Sequence, residues 1–272
     1  MMVPASAYST LAPPDRVRES RIIAVASGKG GVGKTWFSIT LAHALARRGR
    51  RVLLFDGDLG LANVDIQLGL MPKTDLGAVI GGAMHLQAAV QAHEEGFDIL
   101  AGRSGSGALA GIDPTELERM LVALRHAAAS YDYVIIDLGA GLSRAVRRMT
   151  SFADTALVVA TEEPTSLTDA YAVLKLLAAD KDASHRTSAS AWVPDTWVIV
   201  NQSSSRQAGE RTFATLAKAC NAFLGREPRL GGIIRRDDRV RETIRRQTPL
   251  LVRHPMSAAA EDVEAVAMAL DN

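Results

Sequence analysis

The sequence predicts a doubly wound α/β fold: a mostly parallel sheet with helices on both faces. Three observations carry that expectation. Five short runs, IIAVAS (22–27), VLLFD (52–56), YVIID (133–137), TALVVA (155–160) and WVIVN (197–201), are apolar on consecutive residues, as strands covered on both faces are. Longer stretches with helical start and stop signals separate them. The chain is also large enough to fill both faces of one sheet, at 272 residues with 47% hydrophobic side chains.

Taken in order, residues 1–20 (MMVPASAYSTLAPPDRVRES) are rich in Pro, Ser and Ala without an apolar period, and read as a flexible tail. Residues 21–272 read as a single domain. After the first strand, a helix over 35–48 ends in Arg47-Arg48 before Gly49, a basic last turn followed by a glycine stop. Asp113-Pro114 supplies an N-cap and a first-turn proline to a helix that runs to about Ala129. Another helix follows Thr165-Ser166 to about Ala179, and 180–195 reads as a polar surface loop. Near the end, Val263, Val266, Ala267 and Leu270 form a helical stripe expected to pack on the domain.

Composition removes several classes. The 31 Lys+Arg and 30 Asp+Glu leave a net charge of +1, so no global field advertises a polyanionic partner. Cys220 is the single cysteine, and the six histidines (43, 85, 93, 126, 185 and 254) include no close ligand pair. No apolar run approaches the roughly 18 residues of a membrane span, and no signal-peptide pattern opens the chain. Secreted, disulfide-stapled, integral-membrane and zinc-module readings fall away, and a cytoplasmic protein is expected.

The strongest chemical signal is Ser27-Gly28-Lys29-Gly30-Gly31-Val32-Gly33-Lys34-Thr35, directly after a strand and opening a helix. It satisfies G-x-x-x-x-G-K-[ST] at Gly28, Gly33, Lys34 and Thr35. Gly28, Gly30, Gly31 and Gly33 let the backbone wrap a phosphate, so that loop N–H groups, Val32's among them, converge on the anion with the helix N-terminus. Lys34 brings positive charge to the β- and γ-phosphates, and the Thr35 hydroxyl is placed to ligate Mg²⁺. A nucleotide site is expected, with Trp36 able to add its backbone N–H.

GKGGVGKT resembles the deviant Walker A box of the MinD/ParA ATPases, a P-loop NTPase family whose extra lysine reaches across a homodimer to the partner's nucleotide. That resemblance implies ATP and Mg²⁺ as ligands, dimerisation on ATP binding, and hydrolysis to ADP and phosphate. It makes Lys29 the charge supplied in trans, and Asp58 the carboxylate that orients the attacking water. Asp137, in Asp137-Leu-Gly-Ala-Gly141, matches the family's second acidic box and holds the metal through water. Asp56, at the end of VLLFD, is expected within reach of Lys29 and the metal, whereas Asp65 reads as structural. For adenine, the family's asparagine and following loop correspond to Asn201 and Gly232–Asp237, with Asp237 in the acidic position and Arg235 where the family has proline. Trp36 stands where a small or polar residue is usual.

DGDLGLANVDIQLGL (56–70), FDILAGRSGSGALAG (97–111), YDYVIIDLGAGLS (131–143) and EEPTSLTDAYAVLKLL (162–177) resemble most the FlhG/FleN branch, which controls number and placement of bacterial flagella. This implies flagellar assembly partners: an FlhF-like GTPase, basal-body or regulator proteins. The branch's N-terminal activator motif is not intact; Asp15-Arg16-Val17 and Ser20-Arg21 match only its ends. Nor does residues 257–272 supply the basic membrane-binding helix of MinD: it has no Lys or Arg and carries Glu261, Asp262, Glu264 and Asp271. Membrane location through this tail is not expected. The alternative is a ParA/MinD-like partition or division-site ATPase with nonspecific DNA binding, because 226–253 carries nine Arg against four Asp/Glu. DNA is the less favoured partner, since arginines there also suit solvated helix faces or the nucleotide loop.

Overall fold

The computed structural model describes residues 20–71, 76–81, 84–102, 112–187 and 194–272. The expected N-terminal tail lies outside these residues except for Ser20, as do Arg103–Gly111 of the flagellar-branch segments.

β1 (Arg21–Ala26), β2 (Val52–Gly57), β3 (Gln91–Ala92), β4 (Asp98–Leu100), β5 (Tyr133–Leu138), β6 (Thr155–Ala160), β7 (Asp195–Ser203) and β8 (Arg229–Arg235) form one sheet in the order β3-β4-β2-β5-β1-β6-β7-β8. All pairings are parallel except β3 with β4. Because the chain departs from β1 to one side first and then to the other, its C-terminal end is a topological switch point, where α/β sheets bind ligands. The pairing of β2 with β5 sets Asp56 opposite Asp137, and the pairing of β1 with β5 sets Val25 opposite Asp137.

Consecutive apolar residues bury to both faces, as the sequence required. Ile23, Val25, Leu54 and Ile135 pack with α1 (Lys34–Arg47), α2 (Val64–Leu68), α10 (Leu250–Arg253) and α11 (Ala258–Asp271). Ile22, Ala24, Phe55 and Ile136 face the other layer, which includes α3 (Leu76–Ile80), α4 (Leu86–Ala89), α5 (Pro114–Ala128) and α6 (Arg144–Phe152). Val158, Val198 and Val200 continue that layer under α7 (Pro164–Thr187) and α8 (Arg206–Leu224). α9 (Asp238–Arg246) follows β8.

Local signals act as read. Asp113 caps α5 by accepting from Thr115 N at 2.7 Å, and Glu116 returns to Asp113 N at 3.3 Å, a capping box around Pro114. Val263, Val266, Ala267 and Leu270 are all buried, and the tail's acids are tied to the domain: Asp271 to Arg48 and Arg50, Glu264 to Arg47.

Two expectations are corrected. The loop over 180–195 is helical to Thr187, because α7 continues past Ala179, and β7 begins at Asp195; residues 188–193 lie outside the described set. Gly232–Arg235, taken as loop, lies within β8, where the close approach of neighbouring side chains favours glycine. A Cβ on Gly232 would strike Val266, and one on Gly231 would lie 2.8 Å from Ile199 Cδ1.

Candidate nucleotide site

The Gly28–Thr35 loop sits at the C-terminal end of β1 and turns directly into α1. Gly31 (φ +80°) and Gly33 (φ +90°) adopt left-handed conformations that an L side chain resists. Gly28 is packed so closely on α7 that a Cβ there would collide with the Asp169 backbone. Gly30 is exposed, and Val32 anchors the loop in the core. No side chain caps α1 and no acid lies in its first turn, so its leading N–H groups are left for an anion.

Lys34 lies along the loop with its Nζ donating to Ser27 Oγ at 2.9 Å. Burial lowers its pKa, against the opposing pull of the Asp137 and Asp58 carboxylates. Asp137 is buried and accepts from Ser38 Oγ at 2.9 Å, with the Thr35 hydroxyl also donating to it. Burial pushes its pKa up to about 6 despite these bonds and the Lys34 charge. Asp56 is fully buried, and its carboxylate accepts from Asp58 N (3.2 Å), Asn63 N (3.0 Å) and Val64 N (3.1 Å). Burial first, and then the neighbouring Asp137 charge, push its pKa up to about 7. Asp56 therefore braces the segment that carries Asp58, whose own Oδ1 accepts from Gly60 N and Leu61 N at 3.3 and 3.0 Å.

Lys29 is engaged at the start of α7. Its Nζ donates to Glu163 Oε2 at 2.8 Å and Thr165 Oγ1 at 3.0 Å, because the loop leans on the start of α7. Asp65 is buried in α2, where its Oδ1 accepts from Ile66 N at 2.8 Å.

On the other side of the loop, a cavity of about 290 Å³ is bounded by Gly33, Trp36, Asn201, Asp237, Val240 and Ile244, among others. Asn201 Nδ2 donates to Val32 O at 2.8 Å. Asp237 lines this cavity while capping α9 through Arg239 N at 3.0 Å. Arg235 reaches the cavity's edge, but its guanidinium is turned away: Nε donates to Asp262 at 2.8 Å and Nη2 to Glu261 at 3.2 Å. The fully buried Asp262 carboxylate holds that guanidinium. Trp36 packs its ring into the core beside this cavity.

Sequence reasoning missed four contributors. Ser27 and Ser38 seat Lys34 and Asp137; a serine inside an otherwise apolar helical run was the available signal for Ser38. Gln202, at φ +56°, donates from Nε2 to Gly31 O at 3.2 Å. Glu162 ties the end of β6 to that of β7 by accepting from Ser204 N at 2.9 Å.

The CobQ/CobB/MinD/ParA nucleotide-binding domain profile matches residues 23–250. The chain belongs to that family. Among curated MinD/ParA-family proteins, it is 36% identical to the antiactivator FleN of Pseudomonas aeruginosa, over 93% of this chain and 86% of FleN. It is 28% identical to the flagellum site-determining protein YlxH of Helicobacter pylori, over 93% of this chain and 82% of YlxH. Of the solved family structures, the septum site-determining protein MinD of Pyrococcus horikoshii, complexed with Mg-ADP, superposes with a TM-score of 0.75 at 27% identity. That superposition covers 93% of this chain and 96% of the MinD chain. Among the described residues, no helix is long and apolar enough to cross a membrane.

Proposed function

We propose that this protein is an ATP-operated dimerisation switch that regulates the number or placement of flagella. The observation that carries the nucleotide part is the uncapped N-terminus of α1, set behind a left-handed glycine loop with Lys34 alongside and Asp137 at its base. The donor set fits a magnesium–nucleotide complex: oxygen ligands from Thr35 and, through water, Asp137, with Lys34 and backbone N–H groups for the phosphates. Held there, Mg²⁺ would supply positive charge to offset the charge that develops on the phosphates.

The chain's own residues supply the rest. Ser38 and Thr35 hold the Asp137 carboxylate in place, and Ser27 holds Lys34 along the loop. Asp58 orients a water toward the γ-phosphorus; the water oxygen bonds to phosphorus, the bond to the β–γ bridging oxygen breaks, and ADP and phosphate leave. Lys29 serves the nucleotide of a second copy, which requires it to leave Glu163 and Thr165. That exchange couples dimer formation to the start of α7. Asn201 and Asp237 face the base. The likeness to FleN and YlxH over most of both chains supports the flagellar output, through protein partners that read the dimer.

The arginine cluster gives less support to DNA binding than its count implied. Arg235 is engaged by Asp262, Arg246 and Arg253 by Glu242, and Arg229 lies over Trp197.

Sedimentation of Asp58→Ala with ATP tests the switch: the expected result is an accumulated dimer, and a strict monomer refutes it. Flagella counted by microscopy in a deletion strain test the output: changed number or placement with normal nucleoids is expected. Unchanged flagella with mispositioned nucleoids or septa would replace the flagellar reading with the partition one.

A further inference from the structure

The first turn of α1 divides its side chains between two places. Thr35 turns to Asp137, while Trp36 borders the 290 Å³ cavity beneath β7 and α9. That cavity has the chemistry of a seat for a flat heteroaromatic ring: polar groups at its edge from Asn201 and Asp237, and apolar walls from Trp36, Val240 and Ile244. Trp36 is only 6% exposed, yet among the described residues its buried indole Nε1 has no hydrogen-bond partner. Buried tryptophans ordinarily find a partner for that N–H, so hydrogen bonding within the described fold gives no reason for an indole here. What distinguishes the position is the aromatic wall it gives the cavity.

We propose that Trp36 is a base-contacting residue, its ring forming the inner wall of the nucleotide's base seat. This rests on the nucleotide reading of the loop and extends it to a residue that departs from its relatives' pattern. One helical turn then serves both ends of one ligand, with Lys34 and Thr35 on the phosphates and Trp36 on the base. Contact between a base and an aromatic ring depends on the ring and not on the phosphates, which makes it separable.

The test compares Mg-ATP with magnesium tripolyphosphate, which carries the phosphates and no base, on the full chain by calorimetry and tryptophan fluorescence. Trp36→Thr should weaken ATP about tenfold and change tripolyphosphate less than about twofold, the scale of one ring–base contact. Trp36→Phe, which keeps an aromatic wall while removing the fused five-membered ring and its unpaired donor, should hold ATP within about threefold. ATP should change the fluorescence of wild type but not of Trp36→Phe, and tripolyphosphate should change neither. The proposal is overturned if a folded Trp36→Thr binds ATP as wild type does, if both ligands weaken equally, or if the ATP signal survives Trp36→Phe. A wild-type chain that binds neither ligand instead overturns the loop reading, a different result from ATP binding indifferent to Trp36.

Discussion

Replacing Gly33 and Gly31 in turn by alanine separates two kinds of constraint in the loop. Both glycines are left-handed, at φ +90° and +80°, so each alanine takes on the backbone cost of that region, about 1–2 kcal/mol. The surroundings differ. A Cβ on Gly31 meets nothing within 4 Å, whereas one on Gly33 lies 2.5 Å from Asn201 Nδ2 and must displace it. Displacement breaks the 2.8 Å bond from Asn201 to Val32 O inside the core and leaves buried polar atoms unpaired, a further cost of about 1–3 kcal/mol. Gly33→Ala should therefore destabilise by about 2–5 kcal/mol and exceed Gly31→Ala by at least about 1 kcal/mol. Urea titration reads the difference as a shift in midpoint at constant slope. Nucleotide affinity measured on the folded fraction should fall further in Gly33→Ala, because Asn201 is also a wall of the base cavity. Equal midpoints for the two variants would refute the argument, since strain alone would then account for both.

Other perturbations have defined outcomes. Lys34→Ala should abolish ATP binding in calorimetry while preserving the fold, because among the described residues the bond its Nζ gives up is the one to Ser27 Oγ. Asp56 ionises near 3.8 unfolded and near 7 folded, so its contribution to stability falls as pH rises between those values. The stability of Asp56→Asn relative to wild type, from urea titrations at pH 5 and pH 8, should accordingly rise with pH; a falling or flat difference rejects the raised pKa. Glu163→Gln should free Lys29 and lower the protein concentration at which ATP produces dimer by about two- to fivefold, the worth of an exposed ion pair, read by sedimentation. Arg235→Ala should cost about 2–3 kcal/mol by calorimetric melting, because it strips a partner from the fully buried Asp262, whereas Arg245→Ala should cost under about 1 kcal/mol.

The central strands and the loop were legible because their signals are local. An apolar run names its strand, Gly-Lys-Thr names the turn into α1, and Asp113-Pro114 names a helix start. The register that brings Asp56 against Asp137 follows from strand order, which no single segment encodes. The partners of Lys29, Glu163 and Thr165, lie 134 and 136 residues away on another element, so no local segment names them. β8 hid behind two glycines and two arginines, residues poor in strand signal, since its burial comes from Val266 filling the space over Gly232. Arg235 looked like a ligand residue because the buried acid that claims it, Asp262, sits in a helix 27 positions on. α7 ran past Ala179 because a helix already secured by Leu174 and Leu177 against the sheet can continue over polar residues.

α7 has a mechanical meaning as well. At 24 residues it is about 36 Å long; its first turns meet the loop, where Lys29 grips Glu163 and Thr165 and Gly28 presses on Asp169, and Leu174 and Leu177 seat its middle on the sheet. A rigid helix rocking on that seat carries a tilt at the loop along its whole length. Tilting it by about 5° would shift its two ends by about 3 Å relative to each other, the size of a side-chain contact made or lost. The distant tip of this helix is thus where another molecule could feel an event at the loop.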